Sequence, residues 1–315
     1  MSADKITVVG AGNVGATAAQ RLAEKELARE VVMIDVQDGI PEGKGLDQWE
    51  SAPIEGFDTR ITGTGENDYG LAEGSDIFIV TAGVARKPGM SRDDLLTTNA
   101  GIVRSVAERI REVAPDSIVI MVSNPLDVMA YVALESTGFS RERVIGMAGI
   151  LDTARFRSFI ALELDVSVED IQALVLGGHG DSMVPLVPYT TVSGIPLAQL
   201  LDAERIEALI ERTRKGGGEI VGYLKDGSAY YAPSAAAVQM VEAIVRDKRR
   251  ILPCAAYLEG EYGFEDLYLG VPCKLGAGGL VEIMEVEMSD DDRAALGESA
   301  AAVRSTIDAL AELEG

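Results

Sequence analysis

The 315-residue sequence has one histidine, one tryptophan and two cysteines, and aromatic residues make up only 5% of it. Cys254 and Cys273 lack CxxC spacing, which excludes a disulfide framework and a cysteine-built zinc site. No apolar run approaches the ~20 residues needed to cross a bilayer. No basic-then-apolar leader opens the sequence, so a cytoplasmic protein is expected. Bases are scarce too: 20 Arg and 8 Lys stand against 51 Asp and Glu, a net charge of −23. That excess disfavours nucleic acid and anionic membranes as partners. Salt relieves such repulsion, since the Debye length falls to about 3 Å at 1 M. A lysine-poor acidic surface therefore points to a salt-rich cytoplasm, the alternative being an acidic surface in an ordinary cell.

The sequence does supply a core: 47% of its residues are hydrophobic, and its length fits one large domain or two ordinary ones. Continuous apolar runs at 6–9, 31–34, 77–80 and 118–122 read as strands buried on both faces of a parallel sheet. Helix-like stretches at 13–28 and 93–113 alternate with them, the second stopped by Pro115. This alternation predicts an α/β fold, a Rossmann-type doubly wound parallel sheet. Past residue 150 the pattern changes. A helix to about 164, a strand over 171–176, helices near 202–224 and 232–247, strands near 251–258, 266–271 and 279–287, and a helix at 289–313 predict a second α+β catalytic domain. The expected division is 1–149 and 150–315, with a large shared interface.

Gly10-Ala11-Gly12-Asn13-Val14-Gly15 follows the first strand and opens the first helix. GxGxxG is weak alone, but here it has the strand and helix it requires. The first glycine permits the turn, the second lets a pyrophosphate approach, and the third packs helix on strand. Asp35 ends the second strand, 20 residues past Gly15, where it can accept hydrogen bonds from ribose hydroxyls and repel a 2′-phosphate. NAD is expected rather than NADP.

The only histidine, His179, sits in the glycine-rich turn Gly177-Gly178-His179-Gly180-Asp181. It is the side chain that titrates near neutral pH when unperturbed. Asp152 could accept its Nδ1–H, and Arg155, three residues on along a helix, could clamp a substrate carboxylate. Alternatively, Asp152 and Arg155 form an ordinary surface ion pair. Arg86 and Arg92 lie in a loop leaving the ligand edge of the sheet, suited by Gly83, Pro88 and Gly89 to act as a mobile lid. Asn124, in Ser123-Asn124-Pro125 at the same edge, can donate to a hydroxyl or carbonyl oxygen.

Together GAGNVG, VVMID, TAGVARKPGMSRDDLL, VSNPLDVM, GMAGILDTARFR and LGGHGDSMVPL resemble the lactate/malate dehydrogenase superfamily, in its lactate-dehydrogenase-like malate branch. The resemblance runs from residue 5 to the terminal helix. It implies that His179 is the proton donor and acceptor, Asp152 its partner, Arg92 the group polarising the carbonyl and Arg155 the C1-carboxylate ligand. It also implies that Asn124 contacts substrate, while Asn99 and the backbone of Val122, Ser123 and Asn124 contact the nicotinamide half of NAD. Arg86 falls at the specificity position, where an arginine implies a second carboxylate on a small dicarboxylate substrate, and the Tyr230-Tyr231-Ala232-Pro233 segment leans the same way. A dimer or tetramer is expected from the resemblance alone. The alternatives are a monocarboxylate dehydrogenase, an NAD-dependent glycosidase, which lacks here the second His or nearby Cys of a metal site, and a non-catalytic NAD sensor.

Overall fold

The computed structural model describes residues 2–85, 90–225 and 227–314, so Arg86 lies outside the described residues. Six parallel strands stand in the order 3-2-1-4-5-6: β1 (Ala3–Val9), β2 (Ala28–Ile34), β3 (Arg60–Thr64), β4 (Ile77–Val80), β5 (Ile118–Met121) and β6 (Val144–Gly146). Helices α1 (Asn13–Glu24), α2 (Ile40–Glu55), α3 (Arg92–Val113) and α4 (Leu126–Thr137) fall between them. Ile6, Val8, Val31, Val32, Phe78 and Ile79 are wholly buried, as the unbroken apolar runs predicted. Each such side chain contributes roughly 1.5–3 kcal/mol by leaving water. Ser91 caps α3 reciprocally: its Oγ accepts the Asp94 N–H at 3.0 Å, and Asp94 Oδ2 accepts the Ser91 N–H at 3.0 Å.

After β6 comes α5 (Gly149–Leu164), then the short strands β7 (Ile171–Gln172), β8 (Val175–Leu176), β9 (Val184–Pro185), β10 (Thr191–Val192) and β11 (Ile195–Pro196). Helices α6 (Ala203–Leu224) and α7 (Tyr231–Val245), strands β12 (Arg250–Glu259), β13 (Glu265–Gly276) and β14 (Gly279–Ile283), and helix α8 (Asp290–Glu314) complete the order.

Two expectations need correction. The first helix stops at Glu24, because Glu26 takes a left-handed φ of 48° and the chain re-enters the sheet at Ala28. The strand expected over 171–176 divides: β7 pairs with β10, whereas β8 pairs with β9. The last three long strands join the parallel sheet. β12 runs antiparallel beside β6, with Ala255 opposite Gly146, so one nine-stranded sheet, β14-β13-β12-β6-β5-β4-β1-β2-β3, passes through both halves. The second half has its own smaller core, in which Phe156 and Ile160 of α5 meet Ile206, Leu209 and Ile210 of α6.

Candidate active site

The strand order reverses between β1 and β4, and the loops leaving these two strands open a crevice at their carboxyl ends. Gly10 has a φ of 102°, and a Cβ there would lie 2.7 Å from Thr81 Oγ1; a Cβ on Gly15 would lie 1.8 Å from the Gly10 carbonyl oxygen. Only glycine lets the first turn of α1 settle onto this loop. At Gly12, where α1 begins, a Cβ would meet nothing within 4 Å, so that face is open to a diphosphate at the helix N-terminus. The Ala11 peptide is held at both ends: its N–H donates to Asp35 Oδ2 at 2.7 Å, and its carbonyl accepts from Lys44 Nζ at 2.6 Å. Gly10, Gly12 and Asp35 line a cavity of about 670 Å³, with Thr98 and Ile102 of α3 on its far wall. These residues fit a dinucleotide. Asn13 opens α1, and Val14 turns toward a second cavity.

That second cavity, of about 480 Å³, shares Thr81, Gly83 and Val84 with the first. His179, Arg155, Asn124, Asn99, Val122 and Ser123 all line it. His179 Nδ1 lies 2.8 Å from Asp152 Oδ2, and Arg155 Nη1 lies 3.4 Å from Asp152 Oδ1. Asp152 is buried in the first turn of α5, and Arg155 follows one turn later on the same face, as three-residue spacing requires. The His179 turn is tied down on several sides. Gly177 exchanges backbone hydrogen bonds with Gly270 of β13, the Gly178 N–H donates to Ser299 Oγ of α8 at 2.8 Å, and the His179 N–H donates to Asp127 Oδ2 of α4 at 2.9 Å.

Burial of the His179 ring opposes its charged form, but the charge and hydrogen bond of Asp152, helped by the charge of Asp127, outweigh it. The imidazole is therefore held above its ordinary value. Burial lowers the Arg155 guanidinium against the pull of Asp152, and its Nε is buried without a partner. A buried donor left unpaired in a cavity is a place for a ligand acceptor such as a carboxylate. Asn99 spends its amide on the protein itself: Oδ1 accepts the Val84 N–H at 2.8 Å, and Nδ2 donates to the Asn124 carbonyl at 2.7 Å.

A family model described as lactate/malate dehydrogenase, NAD binding domain, matches residues 4–146, and one described as the alpha/beta C-terminal domain matches residues 150–314. The chain belongs to the lactate/malate dehydrogenase family. Among its family relatives, the malate dehydrogenase of Chloroherpeton thalassium is 62% identical over 302 residues, 96% of this chain and 97% of that protein. The solved malate dehydrogenase of Salinibacter ruber superposes with a TM-score of 0.94 at 59% identity, covering 98% of each chain. The lactate dehydrogenase of Cryptosporidium parvum, solved with lactic acid and β-nicotinamide adenine dinucleotide, gives a TM-score of 0.94 at 39% identity over 98% of each chain.

Within this family fold, one residue expected at the site stands apart. Arg92 is the exposed first residue of α3 and does not line the His179 cavity. Other residues were missed by sequence reasoning. Arg214, Gly217 and Val221 of α6 form a wall of the cavity. Gly216 belongs with them, since a Cβ there would meet Arg155 Cδ at 3.1 Å. Three consecutive glycines, Gly216 to Gly218, inside a 22-residue helix were the available signal, because helix interiors disfavour glycine by about 1 kcal/mol each. Asp127 was also missed. It lies within the VSNPLDVM segment, but nothing in that segment marks its partner as a backbone N–H 52 residues away.

Proposed function

We propose that this chain is an NAD-dependent malate dehydrogenase, interconverting oxaloacetate and malate. The observation that carries this reading is the contact of His179 with buried Asp152 in the same cavity as the unpaired Nε of Arg155, continuous with the glycine-lined cleft. NADH supplies the hydride for C2 of the substrate. His179, with Asp152 holding Nδ1, gives its Nε2 proton to the nascent alkoxide and recovers it in the reverse reaction. Arg155 binds the C1 carboxylate with its guanidinium fork. Asn124 donates to the substrate oxygen, and Arg92 meets the charge developing there once it is brought over the cavity. Arg86 takes the second carboxylate, which distinguishes oxaloacetate from pyruvate. Asp35 receives the adenosine ribose, the loop from Gly10 to Gly15 the pyrophosphate, and Asn99 with the backbone of Val122, Ser123 and Asn124 borders the nicotinamide.

The two segments matched by the family models act as a cofactor-binding half and a substrate half, divided near residue 150. We further infer a homo-oligomer; Leu46, Trp49 and Ile54 on the outer face of α2 are apolar and exposed, which supports a covering partner. Among the described residues no helix is long and apolar enough to cross a membrane. Both cysteines are free thiols, which supports a reducing cytoplasm. The test is NADH oxidation measured with oxaloacetate and with pyruvate in parallel. Turnover of oxaloacetate with little turnover of pyruvate is expected, and the reverse preference would overturn the substrate assignment.

A further inference from the structure

Asp127 is buried, with 6% of its surface exposed, in the first turn of α4. Its Oδ2 accepts the His179 backbone N–H, and its Oδ1 is buried without a partner. No basic side chain among the described residues forms an ion pair with it within 4.0 Å. An asparagine would satisfy the same N–H without the cost of burying a charge, so the hydrogen bond alone does not account for a carboxylate here. The titratable group it faces is His179. The other charged groups at this point come from α5, Asp152 and Arg155. Against the same turn α8 presents the neutral Ser299 and Val303, and β13 presents Gly270.

We propose that Asp127 is a second positioning carboxylate for His179, anchoring the turn through the His179 N–H and placing a negative charge 2.9 Å from that backbone nitrogen. Asp152 fixes the imidazole through Nδ1, while Asp127 fixes the main chain that carries it. The ring is thereby located from the first turns of two helices, α5 and α4. Because the α4 turn also follows Asn124, a substrate-side residue, the same short segment sets the position of both substrate donor and proton donor. The charge of Asp127 favours the protonated ring, the form needed to reduce the ketone; Burial and Arg155 act in the other direction.

This inference rests on the proposed proton role of His179, and two substitutions at Asp127 separate its parts. Asp127→Asn keeps an acceptor for the N–H but removes the charge. The alkaline limb of oxaloacetate reduction should then move to lower pH, costing on the order of threefold in rate on that limb. Asp127→Ala removes the acceptor as well, and kcat/KM should fall about 10- to 100-fold, with Asp127→Asn restoring most of that loss. A purely structural role would leave the Asp127→Asn pH profile superimposed on that of the parent enzyme, and that result overturns the inference. Asp152→Asn serves as the control. If it shifts the profile while Asp127→Asn does not, only the role of Asp127 fails. If neither shifts it, His179 is not the titrating group, and the proton assignment fails with the inference.

Discussion

Replacing Asp127 with Asn should stabilise the fold at neutral pH, and that gain should shrink toward acid. The carboxyl titrates at 3.8 when unperturbed; in the fold, burial pushes it up to about 6, against the His179 N–H and the His179 charge, which pull it down. As pH rises through the lower value, an unfolded chain releases a proton that the folded chain retains, and stability is lost. Above the higher value both forms are ionised and the deficit stays constant. A difference of roughly two pH units corresponds to about 3 kcal/mol, a large fraction of the 5–15 kcal/mol that holds typical domains together. Urea denaturation of parent and variant at one fixed molar KCl concentration, repeated from mildly acidic to neutral pH, measures the difference directly. The variant should lead by a few kcal/mol at neutrality and by much less near the unperturbed carboxyl value. A stability difference that is constant across that range would refute the claim that the parent carries an ionised, poorly solvated Asp127. Such a result would leave the hydrogen bond to His179 in place but remove the cost ascribed to its charge.

Four further outcomes are expected. Arg86→Gln should lower activity on oxaloacetate and raise it on pyruvate, shifting the ratio of catalytic efficiencies by ~10²-fold; an unchanged ratio would show that Arg86 does not select the substrate. Asp35→Ser should weaken NADH binding by about tenfold or more without making NADPH the better cofactor, because it also removes the acceptor of the Ala11 N–H; titration with both cofactors checks this, and a clean switch to NADPH would contradict it. Gly216→Ala should stabilise the fold through helix propensity by up to about 1 kcal/mol, read as a higher melting temperature, yet raise KM for oxaloacetate, because the new methyl group presses on Arg155 at 3.1 Å; an unaltered KM counts against the role given to Arg155. The net charge of −23 predicts a melting temperature that climbs from millimolar to molar KCl, and a flat response would count against a salt-adapted surface.

The parallel part of the sheet was legible because both faces of its strands are covered, which leaves continuous apolar runs such as 77–80. The glycine loop was legible because its steric demands are local: Gly10 and Gly15 meet each other and Thr81 across short distances. Asp152 and Arg155 were legible as a pair because helical spacing alone puts them together. What escaped depends on contacts between distant segments. β3 and α2 carry Gly63, Gly43, Gly45, Pro41 and Pro53, which blur both periodicities, yet they pack closely on one another. The contribution of α6 to the cavity depends on how that helix packs on α5. The joining of β12 to β6 rests on a single register pair, Ala255 opposite Gly146, and no pattern within either strand announces it.

That join has a mechanical consequence. Enzymes whose two halves are linked only by loops can shut on a ligand like jaws, rotating one body against the other about a hinge. Here the hydrogen-bonded ladder continues from β14 to β3 without a break, and the floor of the crevice is one twisted plate shared by both halves. Rotating the halves would shear the ladder between β6 and β12. Any closing over a ligand therefore falls to elements mounted on the rim, such as the glycine-bearing middle of α6, while His179, Asp152 and Asp127 stay fixed to the plate and the helices seated on it. The side chain proposed to hand over the proton is thus seated on the stationary part of the structure.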